Sequence, residues 1–222
     1  MFKIKEYKKD NYDDAFKKSV VIFDNNNIEI GKLVPIGEWV LKNNYVVNEI
    51  FRWRKRAMRF FLTKFEPSID LTLNYLKNVS IKEQGRLFFL IYDIEENLIG
   101  HIGIADVTDH NGKLDNMMRG NHGGHKDLIY YAERSILRWC FSYLNLNETY
   151  LRVLSFNKVT INIHLKCGFT FLNKIYLHKK KEKNLLTHLE VSEKNSNVEY
   201  FINKMILSKK SFFVNEKKLE TN

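Results

Sequence analysis

Residues 113–169 hold the densest set of side chains able to do chemistry. A short apolar segment runs into Arg119-Gly120-Asn121-His122-Gly123-Gly124-His125, and from there into a stretch with Leu128, Ala132, Ile136, Trp139, Cys140 and Tyr143 at helical spacing. A strand, a glycine-bearing loop and a helix in that order aim backbone N–H groups and the positive end of a helix dipole at one small volume, which suits phosphate. Gly123 and Gly124 let the backbone approach an anion closely. Residues 149–156 then read as a second strand, followed by Asn157, by His164 seven positions on, and by Cys167-Gly168-Phe169. An imidazole so placed can hand a proton to a leaving group.

Two carboxylates on strands beside the loop are candidate general bases. Asp115 lies on the strand before the glycine loop and is the first choice, and Asp106, near the end of the preceding strand, is the second. His101 and His110 are weaker choices, the one in a glycine-flanked strand and the other in a turn. A further constellation is Phe51-Arg52-Trp53-Arg54-Lys55-Arg56, with Met58 and Phe60-Phe61 beyond. Aromatic rings and guanidinium groups together suit a base that stacks and a diphosphate that takes a fork of N–H donors.

The glycine loop, together with Asn157, His164 and Gly168-Phe169, resembles the coenzyme A site of the GNAT superfamily of N-acetyltransferases. The family's loop runs Gln or Arg, two residues, Gly, one residue, then Gly or Ala; here Gly123 matches, Arg119 falls one place early, and Gly120 and His125 depart. His164 stands where the family carries Tyr. The Trp53-Arg54-Lys55 segment is similar to the Trp-Arg-Asn of GNAT enzymes that acetylate nucleotide-linked amino sugars, the pseudaminic-acid pathway type among them, with Lys55 replacing Asn. The resemblance implies an α/β fold with a mixed, largely antiparallel twisted sheet flanked by helices, and acetyl-CoA as cosubstrate. It places Met117, Met118, Arg119, Gly120, His122, Gly123, Gly124, His125 and Asn157 against the coenzyme. It also assigns catalysis to His164, Asp115 and the Met117 backbone, and the acceptor to Trp53, Arg54 and Asp106. The acceptor expected is a small-molecule amine, best a nucleotide-linked amino sugar of cell-surface polysaccharide synthesis. A protein N-terminus, as for the ribosomal-protein acetyltransferases, is the enzymatic alternative, and a non-catalytic basic nucleic-acid-binding protein is the alternative of another class.

The elements that must hold these residues are legible in outline. The chain has 222 residues, 44% of them hydrophobic and 2 of them Pro, enough for one well-packed domain. No apolar run reaches the roughly eighteen residues of a membrane span, and no apolar leader opens the chain, so a cytoplasmic protein is expected. Cys140 and Cys167 lie in apolar periodic segments without metal spacing and read as buried thiols. The net charge of +10 is spread along a Lys- and Asn-rich chain, and no nucleic-acid motif accompanies it. Neither nucleic acid, membrane nor metal is expected as a partner, and the oligomeric state is open, a dimer included.

Residues 46–61 and 69–76 read as helices, with Ser68 capping the second. Residues 28–34, 87–92, 98–107 and 114–118 read as strands, 128–143 and 158–166 as helices, and 169–177 and 198–207 as strands. Residues 1–27 read as an extension, 28–210 as the catalytic domain and 211–222 as a tail. The Lys179-Lys180-Lys181 run reads as a solvated loop.

Overall fold

The computed structural model describes residues 2–183 and 185–220. In chain order the elements are α1 (Phe2–Lys5), α2 (Tyr12–Lys17), β1 (Val20–Phe23), β2 (Glu29–Pro35), α3 (Asn44–Ala57), α4 (Ile69–Tyr75), β3 (Leu87–Asp93), β4 (Leu98–Ala105) and β5 (Asn111–Arg119). They continue as α5 (Leu128–Ser142), β6 (Glu148–Leu154), α6 (Lys158–Lys166), β7 (Thr170–Glu182), β8 (Leu185–Val191), β9 (Ile202–Ser208) and α7 (Lys209–Glu220). Among the described residues no helix is long and apolar enough to cross a membrane.

The strands form one sheet in the order β1-β2-β3-β4-β5-β6-β9-β7-β8, antiparallel everywhere except between β5 and β6. Its centre is buried on both faces because β3 and β4 carry apolar side chains in both directions. Leu87, Phe89 and Ile91 point into the core that contains α5, whereas Phe88 and Leu90 point into the core that contains α3. On α5 the stripe expected from sequence is buried, with Leu128, Ala132, Ile136, Trp139 and Cys140 against the sheet. α3 turns Val46, Val47, Ile50 and Trp53 inward on the opposite face. Asn43 caps α3 by accepting from Val46 N, and Ser68 caps α4 by accepting from Leu71 N, as its place in the sequence suggests.

Four expectations are corrected. Residues 1–27 do not lie outside the core: Ile4, Tyr7, Ala15 and Ile22 are buried, and β1 pairs along β2. The tail forms α7, with Phe212 and Glu216 buried; residues 221–222 lie outside the described residues. The helix over 46–61 stops at Ala57 and continues as a tighter turn over Met58–Phe60. Finally, Lys179, Lys180 and Lys181 belong to β7, which pairs with the unforeseen strand β8 as a two-stranded ribbon.

Candidate functional site

β5 and β6 are neighbours only over Asn111, Gly112 and Lys113 against Glu148, Thr149 and Tyr150. Beyond Lys113 they separate, β5 remaining on β4 while β6 pairs with β9 through Leu154. The parting leaves a cleft of about 990 Å³ bounded by α3, β5, the start of α5, β6 and α6. It also leaves one edge of β5 without a strand partner, so that backbone N–H and C=O groups near Met117 and Met118 face the opening.

The bend in β5 has a visible cause. Asn116 adopts φ of 54°, and the β4–β5 register shifts between His101 and Gly103. His101 Nδ1 lies 2.5 Å from the Asn116 carbonyl, and Asn116 Nδ2 donates to the Tyr75 hydroxyl at 2.9 Å. His101 packs against the rings of Phe88 and Trp53. Burial pushes its imidazole down to about 4, with the hydrogen bond to Asn116 acting in the opposite sense.

The glycine loop makes the turn from β5 into α5. Gly123 and Gly124 take φ of 115° and 64°, left-handed conformations that permit the reversal into α5, and Gly124 lies against Asp93. Gly120 lies flat on the Trp53 ring, and Asn121 ties the loop to α3 by accepting from Trp53 Nε1 at 3.1 Å and donating to Glu49 at 2.9 Å. Gly120, His122, Gly123, Gly124 and His125 are not among the residues that line the cleft. The wall at this end is made instead by Arg119, Lys126, Asp127 and the first turn of α5, where the N–H groups of Ile129 and Tyr130 have no intrahelical acceptor. Arg119 donates to the Gly123 carbonyl at 2.6 Å, which fixes the cation at the cleft mouth.

Across the opening, Asn157 stands at the N-cap of α6 and His164 about two turns further along the same face, both lining the cleft. His164 is buried, its Nδ1 2.7 Å from Glu133 Oε1 on α5. Of the two expected carboxylates, Asp115 lines the cleft and accepts from Arg86 at 2.7 Å. Burial works against the Arg86 cation, but Glu83 and Asp115 outweigh it and raise its pKa. Asp106 does not line the cleft: it is exposed at a turn with φ of 51° and pairs with Lys113 at 2.6 Å. The two thiols are buried, as expected.

The remaining wall carries Trp53 and Arg54 from α3. Arg54 is buried, its guanidinium 4.3 Å from the centre of the Tyr75 ring and within 6 Å of Phe61 and Phe65, at 5.7 and 5.9 Å. Its Nε has no hydrogen-bond partner, and among the described residues no carboxylate pairs with it. Burial lowers its pKa, so the cation is held in a place that disfavours it. Sequence reasoning singled out Phe61 with the Arg-rich segment but missed Tyr75, Phe65, Arg86 and Glu133. The one available signal was Glu133, a charge on the apolar face of α5.

A family model described as the acetyltransferase (GNAT) domain matches residues 44–170. No curated protein shows significant sequence similarity to the chain. Among solved structures, a spermidine N-acetyltransferase from Vibrio cholerae in complex with CoA and spermine superposes with a TM-score of 0.61 at 17% identity, covering 82% of this chain and 96% of the other. A nucleotide-linked sugar GNAT, FdhC, in its apo form superposes with a TM-score of 0.62 at 13% identity, covering 89% of this chain and 95% of the other. At these identities the likenesses establish the fold.

Proposed function

The chain belongs to the GNAT acetyltransferase family and is an acetyl-CoA-dependent N-acetyltransferase; from that premise we propose that its acceptor is an anionic amine, a nucleotide-linked amino sugar. The observation that carries the proposal is Arg54, a buried guanidinium without a counter-ion that borders the cleft and is surrounded by aromatic rings. An uncompensated buried cation is costly, and a ligand phosphate would relieve it with charge-assisted hydrogen bonds. The rest of the wall agrees. Arg54, Arg56, Arg59, Arg86, Arg119, Lys126, Arg152 and Lys166 line the cleft, against the carboxylates Asp115 and Asp127. Such a field repels a polycation such as spermidine and attracts a diphosphate. Phe60, Phe61 and Phe65 offer faces on which a base can stack.

The cleft also fits the coenzyme, which supplies an acetyl thioester. The open edge of β5 would hold its amide arm, and Arg119, Lys126 and the first-turn N–H groups of α5 would hold its pyrophosphate. The Met117 N–H would stabilise the carbonyl oxygen as negative charge develops on it. Asn157 would orient the arm, and His164 would protonate the departing sulfur. Asp115, held by Arg86, is the side chain of this wall nearest in kind to a base for the amine.

The test is a screen at equal concentrations of nucleotide-diphosphate amino sugars, the same free sugars, spermidine and peptides with varied N-termini. The nucleotide-linked sugar is expected to show the highest kcat/KM. Arg54→Gln is expected to raise its KM about 10- to 100-fold, the worth of one hydrogen bond to a charged group, while leaving the KM for acetyl-CoA close to the wild-type value. Turnover of spermidine or peptides alone would overturn the proposal.

A further inference from the structure

Glu133 has no explanation in packing. It lies on the apolar face of α5, in line with Ile129, Ile136 and Cys140, and is wholly buried. One oxygen meets His164 Nδ1 at 2.7 Å, the other has no N–H or O–H donor among the described residues, and the Cys167 thiol lies near the carboxylate. A half-satisfied carboxylate inside a core costs stability that an apolar side chain of similar volume would not. The neighbouring charges leave it to His164. Arg134, next along α5, points its guanidinium to Glu216 of α7 at 2.7 Å and to Asn25. Cys167 of α6, whose thiol is pushed up chiefly by burial and further by Glu133 itself, supplies no countercharge, and Tyr130 is a neutral phenol.

We propose that Glu133 is a positioning residue, which holds the His164 ring with Nδ1–H toward itself and thereby presents Nε2 to the sulfur that leaves during acetyl transfer. The inference rests on reading the cleft as the acetyl-CoA site with His164 as proton donor, and adds the group that makes that donor effective. The carboxylate fixes the tautomer and the orientation of the ring, as in other carboxylate–imidazole pairs. The amine lone pair forms the new C–N bond at the thioester carbon, and the C–S bond breaks with its electron pair going to sulfur. His164 gives sulfur the Nε2 proton and is left neutral, its Nδ1–H still on Glu133. The proton lost by the amine nitrogen goes to Asp115 and from it to solvent, and solvent recharges Nε2. The products are an acetamide and a free thiol.

Two measurements decide the matter. The first needs no acceptor: calorimetric affinities of CoA and desulfo-CoA for the wild type and Glu133→Gln. The wild type is expected to prefer CoA about 10-fold, from a charge-assisted contact with sulfur, and Glu133→Gln to lose that preference while binding desulfo-CoA as before. A preference that survives, or a parallel loss of both ligands, would overturn the proposal. The second is a double-mutant cycle on kcat, using whichever nucleotide-linked amino sugar turns over. Glu133→Gln should lower kcat at least about 10-fold in the wild-type background, within the range of general-acid contributions. In the His164→Tyr background it should change kcat less than about 2-fold, because a phenol needs no carboxylate behind it. Equal factors in both backgrounds would make Glu133 a packing residue and overturn the assignment. If Glu133→Gln does not fold, Glu133→Asp takes its place in both measurements. If no sugar nucleotide turns over, the acceptor reading fails while the affinity comparison still decides the pair.

Discussion

Two buried histidines at the cleft sit in opposite surroundings. His164 faces a carboxylate, whereas His101 is packed among Trp53 and Phe88 with a backbone carbonyl at Nδ1. In the folded chain the His101 imidazole titrates at about 4, against an ordinary value of 6.5. Between those pH values the unfolded chain binds a proton that the folded chain refuses. Stability is therefore intact above 6.5 and falls as pH drops toward 4, by about 3 kcal/mol at full extent. Denaturant titrations at pH 7 and pH 4.5 should show His101→Gln losing less stability than the wild type over that interval, even though it starts lower. Identical acid losses would mean that His101 does not drive the effect. His164 was legible because Asn157, His164 and Gly168-Phe169 carry a spacing that one helix fixes. Its partner was not, since nothing in the sequence says which turn of α5 faces which turn of α6.

The same division between local and distant information runs through the elements. β3, α5 and α6 could be read from periodicity and flanking glycines, because those signals lie within a dozen or so residues. The parting of β5 from β6 could not. It depends on β9 entering between β6 and β7, with Glu148 opposite Ser208. The Lys-rich run of β7 looked like loop because hydropathy cannot distinguish a solvated ribbon from a solvated turn. Where β5 passes into the loop, contact with α3 is close enough to be tested. A Cβ on Gly120 would lie 2.0 Å from the Trp53 ring, and that ring is buried with its indole N–H on Asn121. Gly120→Ala must push Trp53, and with it the adjacent Arg54, away from β5. The expected cost is about 1–3 kcal/mol of stability, as for other overpacked sites. The acceptor KM should rise at least about 10-fold, with a smaller change for acetyl-CoA. Wild-type values for both substrates would show that this contact does not set the acceptor wall.

At the scale of the molecule, the segment before residue 28 locks the two cores together. Ile4 and Tyr7 join the core on the α5 face, with the Trp139 indole donating to the Tyr7 hydroxyl at 2.9 Å. Ala15 joins the core on the α3 face. Between them the chain crosses the sheet edge so closely to Gly37 that a Cβ there would lie 1.9 Å from the Lys9 carbonyl. Lys8 donates to the carbonyls of Ile81 and Glu83, both at 2.6 Å, which anchors the crossing to the strand-bearing half. β1 then covers the edge of β2. Burying Ile4, Tyr7 and Ile22 alone is worth about 1.5–3 kcal/mol each, or about 6 kcal/mol together, a large share of the 5–15 kcal/mol that holds a typical domain folded. A chain shortened to begin at residue 28 should thus lose its cooperative thermal transition and its affinity for acetyl-CoA together. Replacing Ile4 and Tyr7 by Ala in the full chain should lower Tm by about 6–24 °C while leaving the KM for acetyl-CoA nearly unchanged, since neither side chain lines the cleft. A shortened chain that melts cooperatively within a few degrees of the full one would show that the segment is an appendage after all, and that the catalytic core begins near residue 28.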